Sequence, residues 1–431
     1  MVEDAWGIVG GRPLRGSVRP SGSKNGALPT LAATLLLKGE TILEGLPRIE
    51  DVRTMEELLR AFGLTVEENG GDSVRVVNQG LSTHRAPEDI VSRMRASHYL
   101  LGPVAAQLGR AEIPLPGGCD LGARPVDYIL AGLESVGMET RLKEGRIEVR
   151  ADHLAGARVQ LDPRYRSPGA TFNVLMAAAL AEGESVIEHA SAEPDVVCFC
   201  RFLNAAGARI EGAGGPTLRV RGVDALQGVT HRVNPDRLEA GTFLLAAAAT
   251  RGEVEVEGVA RADLSSVVDK LEEAGVTVAE TGAGLRAACP GRPRGVTITT
   301  DPYPMFPTDL QPPMAAMLVT ADGESRIEES IFDRRLQYVE ELVKMGADIE
   351  VLDSRFARIT GVPRLRGAEV AGHNIRDGAA LLIAALSAEG ESIVSGRRFV
   401  ARGYERIAEK LNALGAQMET LGSGEGSRCS E

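Results

Sequence analysis

The sequence is organised by a repeat that recurs six times along its 431 residues. A glycine with a leucine four residues before it returns at intervals of 68 to 74 residues. Only glycine adopts the left-handed backbone that ends a helix without steric cost, so each of these glycines marks the C-terminal end of an amphipathic helix. The six glycines are Gly63, Gly137, Gly207, Gly275, Gly346 and Gly415. A chain with this pattern folds as six equivalent units.

Each repeat also contains a second helix that is apolar on nearly every side. Residues 172–181 and 243–249 are examples, and a helix without a polar face is buried inside a domain. Alternating residues, as in Ser185-Val186-Ile187-Glu188, indicate short half-buried strands between the helices. The repeats therefore predict an α/β fold built from six βαβ-type units.

The length of the chain predicts two domains with three repeats each, because 431 residues exceed what one hydrophobic core usually holds. The midpoint falls near Val233. We predict one domain at 24–233, which would carry the loop around Cys119, and a second domain formed by 1–23 together with 234–431. Residues 421–431 are rich in glycine, serine and charge, and we expect a disordered tail there.

Composition narrows the classes of function. A net charge of −12 argues against general nucleic-acid binding, which needs a basic surface. No apolar run is long enough to span a bilayer, and the first residues lack the regions of a signal peptide, so a cytoplasmic protein is expected. Neither the five cysteines nor the six histidines have metal-ligand spacing, so no metal site is predicted. The oligomeric state is left open.

One repeat is longer than the others, and its extra residues carry a cysteine. Gly109 lies 28 residues before the glycine that ends its helix, whereas the corresponding distance is 23 to 25 residues in the other repeats. Loop tips absorb insertions, which places the excess within 114–123, around Cys119. A free cysteine is most often a small buried hydrophobe, but the flanking Gly-Gly and Gly-Ala-Arg-Pro favour an exposed, mobile loop.

Polar and basic residues stand at the starts of the buried helices. Equivalent helix starts converge in a repeat architecture, and a helix N-terminus offers free N–H donors and partial positive charge to anions. We therefore expect a site for phosphate or carboxylate groups, to which the guanidinium groups of Arg124 and Arg402 would add bidentate contacts. The residues at the helix starts are Lys24, Asn25, Arg95, Ser167, Asp236, Glu239, Thr308, Asp309 and Arg376.

A purely structural role is open for several of these residues. Asp309, Asp236 and Ser167 are helix-capping residue types, and each could simply accept hydrogen bonds from the first turn of the helix that follows. A single lysine or arginine at a turn is more often a solvated surface charge than part of a site. The recurrence of such polar and basic residues at equivalent positions of the repeat favours a role in a binding site.

The sequence resembles the enolpyruvyl transferases, in particular those that act on UDP-N-acetylglucosamine. The matching segments extend from about residue 7 to 418, so they cover nearly the whole chain. They are Pro20-Ser21-Gly22-Ser23-Lys24-Asn25, Met94-Arg95-Ala96-Ser97, Pro116-Gly117-Gly118-Cys119, Gly122-Ala123-Arg124-Pro125-Val126-Asp127, Gly169-Ala170-Thr171, Pro235-Asp236-Arg237, Gly241-Thr242-Phe243, Phe306-Pro307-Thr308-Asp309 and Arg402-Gly403-Tyr404-Glu405-Arg406-Ile407.

The resemblance implies two inside-out α/β barrels of three repeats each, with the N-terminal strand crossing into the second domain. It also implies the reaction. The enolpyruvyl group of phosphoenolpyruvate passes to the 3-hydroxyl of UDP-N-acetylglucosamine and phosphate is released, the first committed step of peptidoglycan synthesis. The implied partners are these two small molecules, with no nucleic acid, membrane, metal or organic cofactor.

The resemblance assigns roles to individual residues. Cys119 would be the general acid that protonates the methylene carbon, Asp309 the base or hydroxyl-orienting group, and Lys24 a second candidate for proton donor. Fosfomycin alkylates the loop cysteine of the family, so Cys119 is the expected target. A cationic cradle for phosphoenolpyruvate would comprise Lys24, Arg95, Arg124, Arg376 and Arg402. Further substrate contacts are implied at Asn25, Pro125, Val126, Asp127, Ser167, Gly169, Asp236, Thr308, Ile331 and Arg335.

Several positions depart from the commonest family pattern. Pro168 stands in place of a valine, Asp333-Arg334-Arg335 in place of Glu-Asn-Arg, Asn374 in place of an aspartate and Ile129 in place of a histidine. These changes lie toward the acceptor, so they keep open a paralogous enolpyruvyl transferase that acts on another uridine nucleotide such as UMP. The shikimate-pathway relative lacks the cysteine loop. A uridine-nucleotide binding protein is the non-enzymatic alternative, although a binder has no need of Cys119.

Overall fold

The computed structural model describes residues 4–115 and 126–422. Cys119, Arg124, Pro125 and residues 423–431 of the predicted tail lie outside the described residues. The chain folds into two compact units. The first unit holds Ser21–Asp236 and Pro302–Met305, and the second holds residues 4–20, 237–301 and 306–422.

The strands are short, as the alternating apolar residues predict. In chain order the described strands are β1 (Ala5–Val9), β2 (Arg15–Val18), β3 (Leu37–Glu44), β4 (Thr65–Glu68), β5 (Val74–Asn78), β6 (Arg110–Pro114), β7 (Glu139–Lys143), β8 (Arg146–Arg150), β9 (Arg158–Gln160), β10 (Glu184–Glu188), β11 (Arg209–Glu211), β12 (Thr217–Arg221), β13 (Leu226–Gln227), β14 (Thr230–Arg232), β15 (Glu253–Glu257), β16 (Thr277–Glu280), β17 (Gly284–Ala288), β18 (Thr297–Thr299), β19 (Glu324–Glu328), β20 (Asp348–Val351), β21 (Phe356–Thr360), β22 (Glu369–Ala371), β23 (Glu391–Ser395) and β24 (Gln417–Leu421).

The helices alternate with these strands. They are α1 (Lys24–Ala33), α2 (Glu50–Ala61), α3 (Glu88–Val91), α4 (Leu101–Leu108), α5 (Asp127–Ser135), α6 (Pro168–Ala178), α7 (Pro194–Ala205), α8 (Arg237–Ala249), α9 (Ser265–Glu273), α10 (Gln311–Leu318), α11 (Val339–Lys344), α12 (Ile375–Ser387), α13 (Arg397–Val400) and α14 (Ile407–Ala413). In the same described residues, 3-10 turns occur at Thr34–Leu36, Ala96–Leu100, Arg261–Leu264 and Thr308–Leu310.

Six sheets in the described residues share an arrangement of three antiparallel strands. The first strand of each repeat pairs antiparallel with the third, and the third pairs antiparallel with the second, as in β15–β17–β16. A further strand joins the first strand in parallel, except in β6–β8–β7, where an isolated bridge takes its place. The remaining sheets of the first unit are β13–β3–β5–β4, with β14 also on β3, and β9–β10–β12–β11; those of the second are β18–β19–β21–β20 and β22–β23–β1–β24.

The segment that precedes the first unit belongs to the second. β1 lies between β23 and β24 and is antiparallel to both, with Trp6 opposite Val394 on one side and Thr420 on the other. β2 pairs in parallel with β15. The sixth repeat therefore takes its middle strand from a part of the chain that lies almost 400 positions earlier in sequence.

The buried helices form the interior of each unit. Every residue of α8 is buried, and α8, α10 and α12 contact one another in the second unit. In the first unit α4 packs on α6, and α1 contacts the 3-10 turn that precedes α4. Because the helices lie inside and the sheets outside, each of these nearly uniformly apolar helices is kept from solvent. The predicted α/β fold class with two inside-out barrels is confirmed.

The glycines that define the repeat end the outer helices as predicted. All six have φ between 86° and 106°, in the left-handed region that a side chain rarely adopts. The repeat is regular because each outer helix is followed by a residue with left-handed backbone. This requirement for glycine makes the repeat visible in the sequence.

Candidate active site

Asp309 is held by two arginines in the second unit. Its Oδ2 accepts hydrogen bonds from Nε and Nη2 of Arg376 at 3.0 and 2.9 Å, and its Oδ1 accepts one from Nη2 of Arg335. The Arg335 side chain is completely buried and that of Arg376 nearly so, whereas the Asp309 side chain is 27% exposed. Two buried guanidinium groups therefore fix the orientation of one accessible carboxylate.

The helix start beside Asp309 differs from the prediction. The sequence suggested that Asp309 could cap a helix beginning at Leu310, but the structure has a 3-10 turn over Thr308–Leu310, and α10 begins at Gln311. No side chain caps the turn or the helix. The carboxylate of Asp309 is directed to the arginines instead, so the simple capping interpretation is wrong for this residue.

A buried glutamate ties together other predicted site residues. Glu329, which is fully buried, accepts a hydrogen bond from the Thr308 hydroxyl at 3.0 Å and another from the Ile331 backbone N–H at 2.9 Å. The Thr308 carbonyl in turn accepts from Nε and Nη2 of Arg335 at 3.2 and 3.0 Å. Thr308, Asp309, Ile331 and Arg335 thus form one connected network, joined to Arg376 through Asp309.

Arg402 and the residues beside it lie in the same unit. The backbone N–H of Arg402 donates to the Phe399 carbonyl at the end of α13, at 3.3 Å. Two residues later, the ring of Tyr404 faces the Arg376 guanidinium at 5.5 Å, an arrangement favoured by the ring quadrupole. The Tyr404 hydroxyl hydrogen-bonds that of Thr242 on α8 at 2.8 Å. The Arg402 segment is thereby anchored through Tyr404 to the helix that carries Arg376.

Lys24 is the first residue of α1 in the first unit. Its Nζ forms an ion pair with Oδ2 of Asp51 at 2.6 Å, and the two side chains are 14% and 3% exposed. Asp51 lies in the first turn of α2. Asn25 follows in the first turn of α1, whose start is capped by the Ser23 hydroxyl accepting from the Gly26 N–H. A mostly buried carboxylate thus holds the Lys24 ammonium group at this helix start.

Asp236 caps the start of α1, a helix to which the sequence did not link it. Its Oδ2 accepts from the backbone N–H of Lys24 at 3.2 Å. The two segments are brought together by the bridge between Gly22 and Pro235. Glu239, another predicted helix-start residue, is buried on α8 and pairs with Lys410 at 2.6 Å.

Ser167 caps α6, which agrees with the purely structural role that its residue type left open. Its hydroxyl accepts from the Ala170 N–H at 3.2 Å. Gly169 lies in the same turn, and a Cβ there would stand 3.3 Å from His98 Nε2. Nδ1 of His98 donates to the carbonyl of Arg95 at 2.9 Å. The starts of two buried helices, one marked by Arg95 and the other by Ser167, therefore lie next to each other.

Val126 and Asp127, two of the implied substrate contacts, lie at the start of α5. The next residue, Tyr128, packs its ring on Tyr165 with centroids 5.1 Å apart, and partial burial together with the neighbouring Tyr165 raises the pKa of Tyr128. Tyr165 lies just before Ser167. The tyrosine pair thus connects the two segments predicted to contact the acceptor, and sequence reasoning did not single it out.

The structure leaves some predicted residues untested. Cys119, Arg124 and Pro125 are outside the described residues, so the catalytic loop remains a prediction. Lys24 and Asn25 lie in the first unit, whereas Asp309, Arg376 and Arg402 lie in the second. Within residues 4–115 and 126–422, no group of three or more His, Cys, Asp or Glu side chains could hold a metal ion. None of the helices in that part of the chain has the length and apolar character needed to cross a membrane.

Two charged partners of predicted site residues were missed by sequence reasoning because nothing in their local sequence marks them. Asp51 follows Glu50 at the start of an amphipathic helix and reads as a helix-dipole residue. Glu329 directly follows Glu328, the last residue of β19. Each was found only when folding brought it to Lys24 or Thr308.

Comparisons with known proteins agree over the length of the chain. The model of the EPSP synthase (3-phosphoshikimate 1-carboxyvinyltransferase) family matches residues 8–411. The chain is 44% identical over 414 residues to UDP-N-acetylglucosamine 1-carboxyvinyltransferase 1 of Carboxydothermus hydrogenoformans, covering 96% of this chain and 97% of that protein. It is 46% identical over 407 residues to the protein of the same name from Caldanaerobacter subterraneus subsp. tengcongensis, covering 94% and 97%.

A solved structure is also similar. The enolpyruvyl transferase NikO of Streptomyces tendae has a TM-score of 0.86 at 26% identity, covering 97% of this chain and 99% of that one. The chain therefore belongs to the EPSP synthase family of enolpyruvyl transferases, in the branch of the UDP-N-acetylglucosamine 1-carboxyvinyltransferases.

Proposed function

We propose that this protein transfers the enolpyruvyl group of phosphoenolpyruvate to the 3-hydroxyl of UDP-N-acetylglucosamine and releases phosphate. The relatives that carry the name of this activity cover nearly the whole chain. The reaction would make the protein a cytoplasmic enzyme of cell-wall synthesis, since both substrates are small, strongly anionic and water-soluble. No metal or organic cofactor takes part in the proposed reaction.

The arrangement of Asp309 carries the proposal. Addition of a hydroxyl to the enol double bond requires that the hydroxyl be oriented and lose its proton. A carboxylate oxygen has two lone-pair sites. Oδ2 accepts from two nitrogens of Arg376, whereas Oδ1 accepts from one nitrogen of Arg335, so we assign the acceptor hydroxyl to Oδ1. Arg335 and Arg376 fix the carboxylate while 27% of its side chain stays exposed. We assign Asp309 to the acceptor hydroxyl.

Cationic side chains would bind the other substrate, phosphoenolpyruvate. Phosphoenolpyruvate carries a phosphate and a carboxylate, and the departing phosphate must be stabilised as charge develops on it. We assign this task to Lys24, Arg95, Arg124, Arg376 and Arg402. Lys24 stands at the N-terminus of α1, where the free N–H groups of a helix add to its charge. Its pairing with Asp51 supports the assignment because it keeps the ammonium group in one place.

Cys119 is assigned as the general acid. Protonation of the methylene carbon completes the addition, and a second proton transfer then releases phosphate from the tetrahedral intermediate. A loop that carries the acid can close after the sugar has entered, which keeps water from the intermediate. We assign the nucleotide to Val126 and Asp127, with Asn25 on the sugar and Ser167 and Gly169 at the diphosphate.

Phosphate release tests the proposal. The purified protein is incubated with phosphoenolpyruvate and, in parallel, with UDP-N-acetylglucosamine, UMP or no acceptor. Release that depends on UDP-N-acetylglucosamine supports the proposal. Release with UMP alone points to a paralogous enzyme, and binding of uridine nucleotides without release in any mixture points to a binding protein.

Two variants connect the activity to the site. Asp309→Asn keeps the shape of the side chain but removes its charge, and it should lower kcat at least 100-fold, the scale on which positioned acid–base groups act. Asp72→Asn is the matched control, because Asp72 is an exposed carboxylate whose pair with Arg232 lies at the surface, and it should leave kcat unchanged.

Fosfomycin provides a separate test of the loop. Peptide mass analysis after exposure together with UDP-N-acetylglucosamine should locate a single adduct on Cys119. Modification of Cys198, Cys200 or Cys289 instead would contradict the assignment of the acid. Cys198 is the most exposed of the three, and burial raises the pKa of all three thiols, so we expect them to stay unmodified.

A further inference from the structure

A second carboxylate, that of Asp377, follows Arg376, which binds Asp309, and takes no part in the proposed chemistry. Asp377, on α12, belongs to a buried polar cluster in the second unit. Its other members are Gln311 on α10, Arg335, and Tyr338 at the start of α11, and all four residues are at most 2% exposed. A group of this size and polarity is uncommon in a hydrophobic interior.

The cluster contains polar atoms that lack hydrogen-bond partners within the described part of the chain. They are Nη1 of Arg335, Oδ1 of Asp377 and Oε1 of Gln311. Nε2 of Gln311 donates to the Tyr338 hydroxyl at 2.9 Å. Burial without a partner is costly for each of these atoms. Such an arrangement persists in folded proteins mostly where it serves a function.

Arg335 connects this cluster to Asp309. Its Nε and Nη2 donate to Thr308, and Nη2 also donates to Asp309. A guanidinium group stays charged in a protein interior and needs compensating negative charge. The charge of Arg335 also acts on Asp377, where it favours the carboxylate form. One buried cation is therefore shared between an accessible carboxylate and a buried one.

We propose that Asp377 is a positioning residue, which shares the charge of Arg335 and so holds Arg335 and Asp309 in the geometry that orients the acceptor hydroxyl. The inference rests on the proposed function. When Asp377 is ionised, the electrostatic attraction of Arg335 is divided between Asp377 and Asp309. Asp309 can then accept a hydrogen bond from the acceptor hydroxyl. With Asp377 neutral, Arg335 binds Asp309 alone and more tightly.

The protonation of Asp377 then links activity to pH. Burial raises the pKa of Asp377 to about 6, while Arg335, the Asn374 side chain and His373 act in the opposite direction. On the elements packed against α12, α10 contributes the uncharged Gln311, and burial raises the pKa of Tyr338 at the start of α11 well above its usual range. The other charged groups on these elements are Arg237 and Glu239 of α8, Glu340, Glu341 and Lys344 of α11, Arg397 and Arg398 of α13, Glu369 of β22 and Glu391 of β23.

The test is steady-state kinetics of Asp377→Asn from pH 5 to 9, with both substrates varied. The asparagine mimics the protonated carboxyl at every pH. We expect kcat at pH 7.5 to fall about tenfold, with KM for each substrate within about twofold of wild type, because Asp377 acts on Asp309 and touches no substrate. The wild-type kcat should rise with pH around 6, and the variant should lose this rise.

Glu341→Gln is the control. Glu341 is a buried carboxylate of the same unit that accepts from the Ala371 N–H and pairs with Lys344, and its loss should leave kcat and the pH profile unchanged. If Asp377→Asn folds poorly, Asp377→Ser is measured in its place. It should show the same fall in kcat and the same loss of the rise near pH 6. A wild-type profile without the rise near pH 6, or Asp377 variants with wild-type kcat, would overturn the inference. Absence of phosphate release by the wild type would instead refute the proposed function.

Discussion

The ion pair between Lys24 and Asp51 gives a sharp test of how the first unit presents the lysine that we propose to be catalytic. Their charged atoms lie 2.6 Å apart, and the side chains are 14% and 3% exposed. Removing one partner of a buried pair costs about 3–5 kcal/mol, because the other charge is left without compensation. Since Lys24 reaches solvent in part, we expect Asp51→Asn to lower the free energy of unfolding of the first unit by about 2–3 kcal/mol.

The Asp51→Asn substitution should also lower the catalytic activity. Asp51→Asn removes a charge that helps to fix the lysine side chain, and a less precise position for a group that binds the reacting substrate lowers kcat/KM. We expect kcat/KM for phosphoenolpyruvate to fall about 10- to 100-fold in Asp51→Asn, on the scale of one misplaced charged contact. KM for the nucleotide sugar should change less than KM for phosphoenolpyruvate, because the residues assigned to the uridine and diphosphate lie at the starts of α5 and α6.

Denaturant unfolding and a double-mutant cycle measure the effect. Asp51→Asn, Lys24→Met and the double variant are compared, and we expect a coupling energy of about 2 kcal/mol or more. The control is Asp72→Asn, since Asp72 and Arg232 are more than half exposed, and an exposed pair contributes about 0–1 kcal/mol. A coupling below about 0.5 kcal/mol, or equal losses in Asp51→Asn and Asp72→Asn, would refute the reasoning.

Other predictions follow from burial and packing. Because the pKa of Asp377 is raised from 3.8 to about 6, its contribution to stability should fall by about 2 kcal/mol as pH rises from 4 to 6, and Asp377→Asn should lose this dependence in denaturant titrations. In Gly241→Ala the new Cβ would lie 2.4 Å from Leu310 Cδ1, so we expect a loss of about 1–2 kcal/mol and, because Leu310 adjoins Asp309, a lower kcat; wild-type melting and kcat would contradict this. Tyr404→Phe removes a buried hydrogen bond to Thr242 and should cost about 1 kcal/mol in thermal unfolding.

The sequence predicted those parts of the structure that depend on local chemistry. The six glycines end helices because the left-handed backbone excludes side chains, and this requirement is visible without knowledge of the fold. The same holds for Ser167, whose capping depends on the residues that immediately follow it. The positions of Thr308, Asp309 and Arg376 at or beside helix starts were likewise legible from the repeat.

Long-range partners could not be predicted in this way. Asp236 caps α1, whose first residue lies 212 positions earlier in the sequence, and no local rule connects Asp236 to that helix. Asp377 looked like one more polar residue in the first turn of a helix. Only the packing of α10, α11 and α12 turned it into a buried charge beside Arg335. The fold was therefore easier to predict than the electrostatics of the site.

The position of β1 affects the order in which the protein can mature on the ribosome. Residues 21–236 are contiguous apart from a four-residue contribution from Pro302–Met305, so most of the first unit can fold while translation continues. β1 must wait for β23 and β24, which are synthesised far later. Until then it is an unpaired strand carrying Trp6 and Ile8, the kind of segment that chaperones bind and that pairs with the wrong neighbour. Nascent chains arrested before residue 390 should therefore be protease-sensitive in residues 5–9.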